Sequence, residues 1–313
     1  FLFLYFYRRN LLKNSFYFLL FYVATAGLFF YGINDALFFA TMVVFFTETY
    51  LAATRRSFNL NLALIALIIC FFTRQLFLVY LPAILLAFYI LFVQSENFTK
   101  KRWIPLFIFI IFLILNIPSL LKNGELSYDK KSPPENMEVT WTQRQYLAQL
   151  MVNRGDLPNY QHPSWEQTKN YLIENGKESL PDNIIKGIFQ DPGLTLKEFF
   201  KDFFYILIYS SRGIGLILLI TIGHFILRFL NHRKLYLQDF IPIASLVIIA
   251  IFSLIIISYI ELRWLCAIFI MLVIYYGDLL KNNRIDHRIE LVNLIYFCSI
   301  ALFGIFRIFS KTF

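Results

Sequence analysis

Apolar residues fall in long smooth runs separated by short polar connections, and one polar stretch, residues 122–202, interrupts the series. A helix that crosses a hydrocarbon core of about 30 Å needs around 20 apolar residues. Runs of that order lie at Phe16–Ile33, Ala36–Ala53, Leu60–Thr73, Leu76–Val93 and Trp103–Leu120. Others follow the polar stretch at Gly213–Leu230, Phe240–Ile260, Trp264–Leu279 and Leu291–Phe309. None alternates apolar and polar at every second position, which excludes a transmembrane barrel. The pattern predicts an all-α polytopic membrane protein of about nine transmembrane helices. Its divisions are an N-terminal bundle over 1–121, a small, mainly helical loop domain over 122–203 and a C-terminal bundle over 204–313. Two hairpins are very tight, because only Asn34-Asp35 and Arg74-Gln75 separate their spans. Phe1–Tyr7 is too short to cross a membrane and reads as the tail of a helix that begins upstream of Phe1.

Composition agrees. Hydrophobic residues make up 58% of the chain and charged ones 16%, against about 25% charged in soluble domains. Cys70, Cys266 and Cys298 all lie in apolar runs without a CxxC or a Cys/His cluster, so they read as buried thiols rather than disulfides or zinc ligands. The basic residues fix an orientation. Arg8, Arg9 and Lys13 share one face of the membrane with Arg55, Arg56, Lys100, Lys101 and Arg102. Arg228, Arg233, Lys234, Lys281, Arg284 and Arg288 join them, while the short connections opposite carry only Arg74 and Arg263. Positive charge concentrates in cytoplasmic loops, so the basic face is cytoplasmic and the 122–203 loop extracytoplasmic. The expected location is the cytoplasmic (inner) membrane. The net charge of +9 follows from this distribution; anionic membrane lipids account for it and no nucleic-acid partner is implied.

Within the loop, Ser132-Pro133-Pro134 reads as an extended linker and Trp141–Asn153 as a helix. A second helix runs from His162-Pro163-Ser164 through Glu174 to a stop at Asn175-Gly176. From Asp191-Pro192-Gly193 the chain enters Leu194–Ser211. There Phe199, Phe200, Phe203, Phe204, Ile206 and Leu207 recur at helical spacing beside Lys197, Glu198, Lys201 and Asp202, as in a helix lying in the membrane interface.

Five ionisable residues, Asp35, Arg74, Arg212, Glu261 and Arg263, map to the outer ends of spans, on the same face as the loop. Each alone has a plain explanation as a helix cap or a snorkelling side chain. Against that stands a shared polar pocket, since charges at membrane depth usually face protein or water and mark function. Arginine forks match phosphate, and a neighbouring carboxylate can serve as a base or hold a divalent metal. Such a rim suits a phosphate-bearing substrate at the membrane surface. Other charges read as structural: Glu48 is expected to pair with Arg55 seven residues on, Asp239 and Asp278 to be solvated, Arg307 to snorkel, and His224 to be packed. The sequon Asn97-Phe98-Thr99 falls in a connection assigned to the cytoplasm. No Walker loop, HExxH, GxSxG or Rossmann fingerprint is present.

Three stretches resemble a known family. Asn34-Asp35-Ala36-Leu37-Phe38 opens a span from the outer side. Cys70-Phe71-Phe72-Thr73-Arg74-Gln75, followed by Pro82, is similar to a Thr-Arg-Pro hairpin, with Gln75 where proline is usual. Tyr259-Ile260-Glu261-Leu262-Arg263-Trp264 is similar to a Glu-Arg-Tyr start of a late span, with one residue inserted. Together with Asp191-Pro192 through Phe204 they resemble the multi-spanning C-type glycosyltransferases, the superfamily of protein O-mannosyltransferases and lipid A aminoarabinose transferases. The resemblance implies inverting transfer of a sugar from a polyprenyl-phosphate donor to a lipid, glycan or protein acceptor on the outer face. It places Asp35 at the family's second acidic site, assisting a metal or the acceptor, and Arg74 and Arg263 near the donor phosphate; from their place on the same rim, Glu261 joins Asp35 as a catalytic candidate and Arg212 joins the arginines as a phosphate-binding one. It admits a divalent metal beside Asp35. The family's main catalytic aspartate would lie upstream of Phe1.

A lipid or polysaccharide transporter or flippase is the alternative from another class, and a polysaccharide polymerase or ligase the alternative among enzymes. A transporter would show midplane charges, broken spans or inverted repeats, none of which the sequence displays. The orientation is tested by labelling single-cysteine variants with a membrane-impermeant thiol probe from outside. Ser164→Cys is expected to react and Ser57→Cys to stay unlabelled; the reverse result inverts the topology.

Overall fold

A computed structural model describes residues 1–11, 15–29, 33–95, 103–127, 133–134 and 137–312. The basic residues Lys13 and Lys100–Arg102, the sequon and Ser132 of the linker lie outside the described residues. Every extended regular element described is helical. The chain forms two compact units, one of residues 1–128, 207–248 and 262–313, the other of residues 129–206 and 249–261.

The first unit opens with α1 (Leu2–Arg8), α2 (Ser15–Phe29), α3 (Ile33–Ala53), α4 (Leu60–Thr73), α5 (Phe77–Gln94) and α6 (Trp103–Asn123). The polar stretch carries α7 (Trp141–Arg154), α8 (Trp165–Asn175), α9 (Ile184–Gln190) and α10 (Pro192–Tyr209). The chain continues through α11 (Ser211–Ile214), α12 (Ile217–His232), α13 (Phe240–Leu254), α14 (Cys266–Lys281) and α15 (His287–Thr312). Among the described residues six segments are long and apolar enough to cross a membrane: Asp35–Ala53, Phe77–Gln94, Trp103–Lys122, Leu237–Leu254, Leu262–Lys281 and His287–Ser310. Phe16–Ala26, Leu60–Thr73 and Ile217–His232 are apolar but shorter.

Burial separates inner helices from outer ones. The α3 segment is 83% buried and the α6 segment 11%, although both are apolar all round. A helix apolar on every side needs an apolar surround. For α3 that surround is protein. For α6, with Ile104, Phe107, Ile114 and Leu121 exposed, it is lipid, as expected of a membrane-embedded protein. On α3 the polar groups are satisfied internally: Thr41 and Thr49 donate to the carbonyls of Leu37 (2.8 Å) and Phe45 (2.9 Å). At the contact of α2 and α15 the backbones nearly touch, since a Cβ on Gly304 would lie 2.5 Å from the Val23 carbonyl oxygen. Small residues permit such close approaches between membrane helices.

The end of α3 opposite Asp35 is tied by buried ion pairs that differ from the expected ones. Fully buried Glu48 accepts from the Tyr5 hydroxyl (2.7 Å), the Asn59 amide (2.6 Å) and Arg9, and not from Arg55 as anticipated. The helix stops at Ala53 and Arg55 turns into the left-handed region (φ 56°), so a seven-residue helical spacing never reaches it. Asp278 accepts from Arg56 (2.7 Å) and the Tyr50 hydroxyl (2.8 Å). Buried Asp239 pairs with Arg228. Both acids, expected in solvent, are instead bound by arginine.

A further difference concerns Phe240–Ile260, read as one continuous span. The helix ends at Leu254, and residues 255–261 belong to the second unit. Ile256 there packs with Val139, Tyr146, Leu147, Leu172 and Leu180 to form that unit's core, and the Ser258 hydroxyl lies 3.2 Å from Nδ1 of His162. Apolar content marked these residues as membrane; their partners are a small soluble-type core.

Helix ends in the second unit follow local chemistry. Thr140 and Ser164 form capping boxes with Gln143 and Gln167, each stabilising by about 1 kcal/mol. Gly155 closes α7 in the left-handed region (φ 84°). Helix α10 is inverted relative to a water-soluble one. Leu196, Phe200, Phe204 and Ile208, spaced by four, are exposed, while Glu198 and Asp202 are buried. Asn153 donates to Glu198 (2.9 Å), and Lys201 pairs with it (2.7 Å). Oδ2 of Asp202 has no hydrogen-bond partner among the described residues. Burial pushes its carboxyl up to about 7; Lys201 opposes that rise and Glu198 adds to it. An unfolded aspartate titrates near 3.9, so folding takes up a proton between those values. The Asp202 contribution to stability is complete below about pH 4 and is lost as pH rises through 7. Thermal midpoints measured from pH 4 to 8 are expected to fall across that window. Asp202→Asn should flatten the fall and raise the midpoint at pH 8; an unchanged pH profile would refute the assignment.

Candidate functional site

Three of the five rim residues meet. Asp35 lies in the first turn of α3 with its side chain 3% exposed. Arg74 follows the last residue of α4, where the backbone is extended (φ −149°, ψ 140°) and releases the side chain from the helix. Arg263 lies in a 3-10 turn, Leu262–Leu265, that precedes α14. The Arg74 guanidinium pairs with Oδ1 of Asp35, and Nη1 of Arg263 lies 3.3 Å from Oδ2. One carboxylate thus joins three distant parts of the chain.

Neighbouring bonds hold this geometry. About two turns into α3, Oγ1 of Thr41 lies 2.9 Å from Sγ of Cys70, and that sulfur donates to the Phe38 carbonyl at 3.3 Å. These contacts set α3 against α4 and so set Asp35 against Arg74. The hydroxyl of fully buried Tyr80, on α5, donates to the Trp264 carbonyl (2.5 Å) and pins the turn that carries Arg263. Helix dipoles act in the same sense. Asp35 sits at a positive N-terminus and Arg74 at a negative C-terminus, each end equivalent to roughly half a charge.

Two guanidinium groups face one carboxylate, and both arginines are about a quarter exposed (26% each), so this cluster is partly open to solvent. Inward of it lies an apolar cavity of about 690 Å³. Its walls include Ala36, the residue after Asp35, with Phe39, Tyr22, Cys266 and Ile270.

Two rim residues remain, Glu261 and Arg212. Glu261 is half-buried and belongs to the second unit. Arg212 is exposed, lies over the Tyr209 ring (4.3 Å) and lines a largely apolar groove with Arg307, Ile300 and Phe303. Arg307 itself lies 5.9 Å from the Phe303 ring. Among the described residues no three His, Cys, Asp or Glu side chains converge to hold a metal ion. At Asp35 a cation would meet two arginines already engaged with the carboxylate, so the residues present do not fit a metal there. Sequence reading had singled out neither Tyr80, nor the Thr41 and Cys70 contact, nor the grouping of Arg307 with Arg212. A tyrosine in an apolar helix and a cysteine in an apolar run carry no local mark of such roles.

No family model matches the chain, and neither a curated protein nor a solved structure matches it.

The Asp35 and Arg74 pair is tested by a double-mutant cycle with Asp35→Asn and Arg74→Gln, read as unfolding free energy. A coupling of about 0.5–3 kcal/mol is expected for contacting groups of one network. Additive effects would show that the two side chains act independently.

Proposed function

We propose that the protein transfers a sugar from a polyprenyl-phosphate-linked donor to an acceptor on the extracytoplasmic face of the membrane. The observation that carries this reading is the Asp35 carboxylate held between Arg74 and Arg263 beside an apolar cavity. Paired guanidiniums bind phosphate oxygens through charge-assisted hydrogen bonds, and the cavity offers apolar walls to an isoprenoid chain. In an inverting transfer the acceptor oxygen attacks the anomeric carbon and gives up its proton to solvent as the bond to the phosphate oxygen breaks, and the phosphate leaves with the electron pair. Negative charge grows on the departing phosphate, where fixed positive groups in a poorly hydrated site stabilise it most.

Asp35 acts here as a positioning residue. Both of its oxygens face cations, which makes it a firm anchor for the two arginines. Arg74 and Arg263 bind the donor phosphate. Glu261 remains a catalytic candidate from its place among the rim charges, and Arg212 has no assigned part. The exposed apolar stripe of α10 and the basic residues of the opposite face support a nine-helix topology, with the loop domain outside and α10 on the membrane surface.

The test is sugar transfer from a synthetic polyprenyl-phosphate sugar in membranes that carry the full-length protein. Arg74→Ala and Asp35→Asn are expected to lower turnover at least a hundredfold while membrane insertion is unchanged. Full activity in both variants would end the reading.

A further inference from the structure

A second basic site lies at the other end of the first unit. Arg263 precedes α14 and Arg284 follows it; at 1.5 Å per residue, its 16 residues span about 24 Å. Near Arg284 a cavity of about 580 Å³ is lined by His224, Arg228, Asn231 and His232 of α12, with Tyr236 and Arg284. Unlike the cavity beside Asp35, its lining is mainly polar.

The charges favour an anion. Buried Asp239 pairs with Arg228 and accepts from the Tyr236 amide (3.0 Å), so this acid is spent on one arginine. The Arg228 guanidinium also lies over the Tyr236 ring (5.1 Å), which fixes its position. Arg284 has no acidic partner among the described residues. The buried Nδ1 of His224 has no hydrogen-bond partner there either. Opposing them is the C-terminus of α12, with roughly half a negative charge. One unpaired guanidinium outweighs that end, and two imidazoles add donors. Apolar surface lies beside these groups: Leu227 of the cavity wall and Leu230 on the same helix are both more than half exposed.

We propose that this cavity binds the phosphate headgroup of an anionic phospholipid, whose acyl chains lie along Leu227 and Leu230. Basic pockets at the ends of membrane helices on the cytoplasmic side suit such headgroups, and this is the rim to which the charge pattern assigns that side. The inference does not depend on the sugar-transfer reading.

The test uses the whole chain in phosphatidylcholine nanodiscs, with phosphatidylglycerol titrated in and thermal stability and native mass spectrometry as readouts. Phosphatidylglycerol is expected to raise the melting midpoint and to remain bound in the spectrometer. Arg284→Ala, a change at an exposed loop position, is expected to weaken the apparent affinity at least roughly tenfold. Arg307→Ala, at another basic groove, should leave it unchanged. Arg284→Lys, which keeps the charge, should retain most of the binding and serves as the folding control. Equal responses in the native protein and Arg284→Ala would overturn the proposal. So would an equal midpoint shift from millimolar inorganic phosphate, which would identify a site for the free ion.

Discussion

A carboxylate placed where helices meet the membrane surface must be matched by cations or it will not stay ionised, and most of the first unit's outer rim follows from how Asp35 meets that demand. Its two oxygens draw in Arg74 from the end of α4 and Arg263 from the turn before α14. Each arginine is carried by an element that packing alone would leave free to shift. Tyr80 and the Thr41 and Cys70 contact then fix those elements one layer below. Low polarity around the cluster strengthens each attraction and raises the cost of losing a partner.

The opposite ends of the helices obey the same rule with other residues. Glu48, Asp278 and Asp239 each sit against an arginine, and each also accepts a tyrosine hydroxyl or a backbone amide. Acid is therefore spent on structure at both ends, with an apolar cavity near one set of arginines and exposed leucines near the other.

Much of the helical plan was legible in the sequence because lipid imposes a length and a composition on each crossing. Leu60–Thr73 was read with the bounds the structure has, and the helix read at Trp141–Asn153 ends one residue short of α7. The meeting of Asp35, Arg74 and Arg263 could be anticipated because all three sit at span ends on one face, a statement about topology rather than contact. Other readings failed where a local rule met a tertiary partner. Glu48 chose Arg9 and Tyr5, which are remote in sequence. Ile256 looked like lipid-facing residues but entered the core beside Leu172. Asp202 was read with the polar edge of an interfacial helix and is instead buried. Hydropathy records the wish to leave water; it does not say whether protein or lipid will receive the residue.

The Asp35 and Arg74 pair joins two helices that are neighbours along the chain, whereas Arg263 is added from far downstream. A ribosome delivers α3 and α4 together, well before α14 has been made. Their hairpin can therefore enter the membrane with its acid and base already neutralising one another, at less cost than either charge entering alone. Arg263 arrives at a finished pair and adds a second guanidinium to it. On this account the three-residue rim is complete only once the turn before α14 has been made.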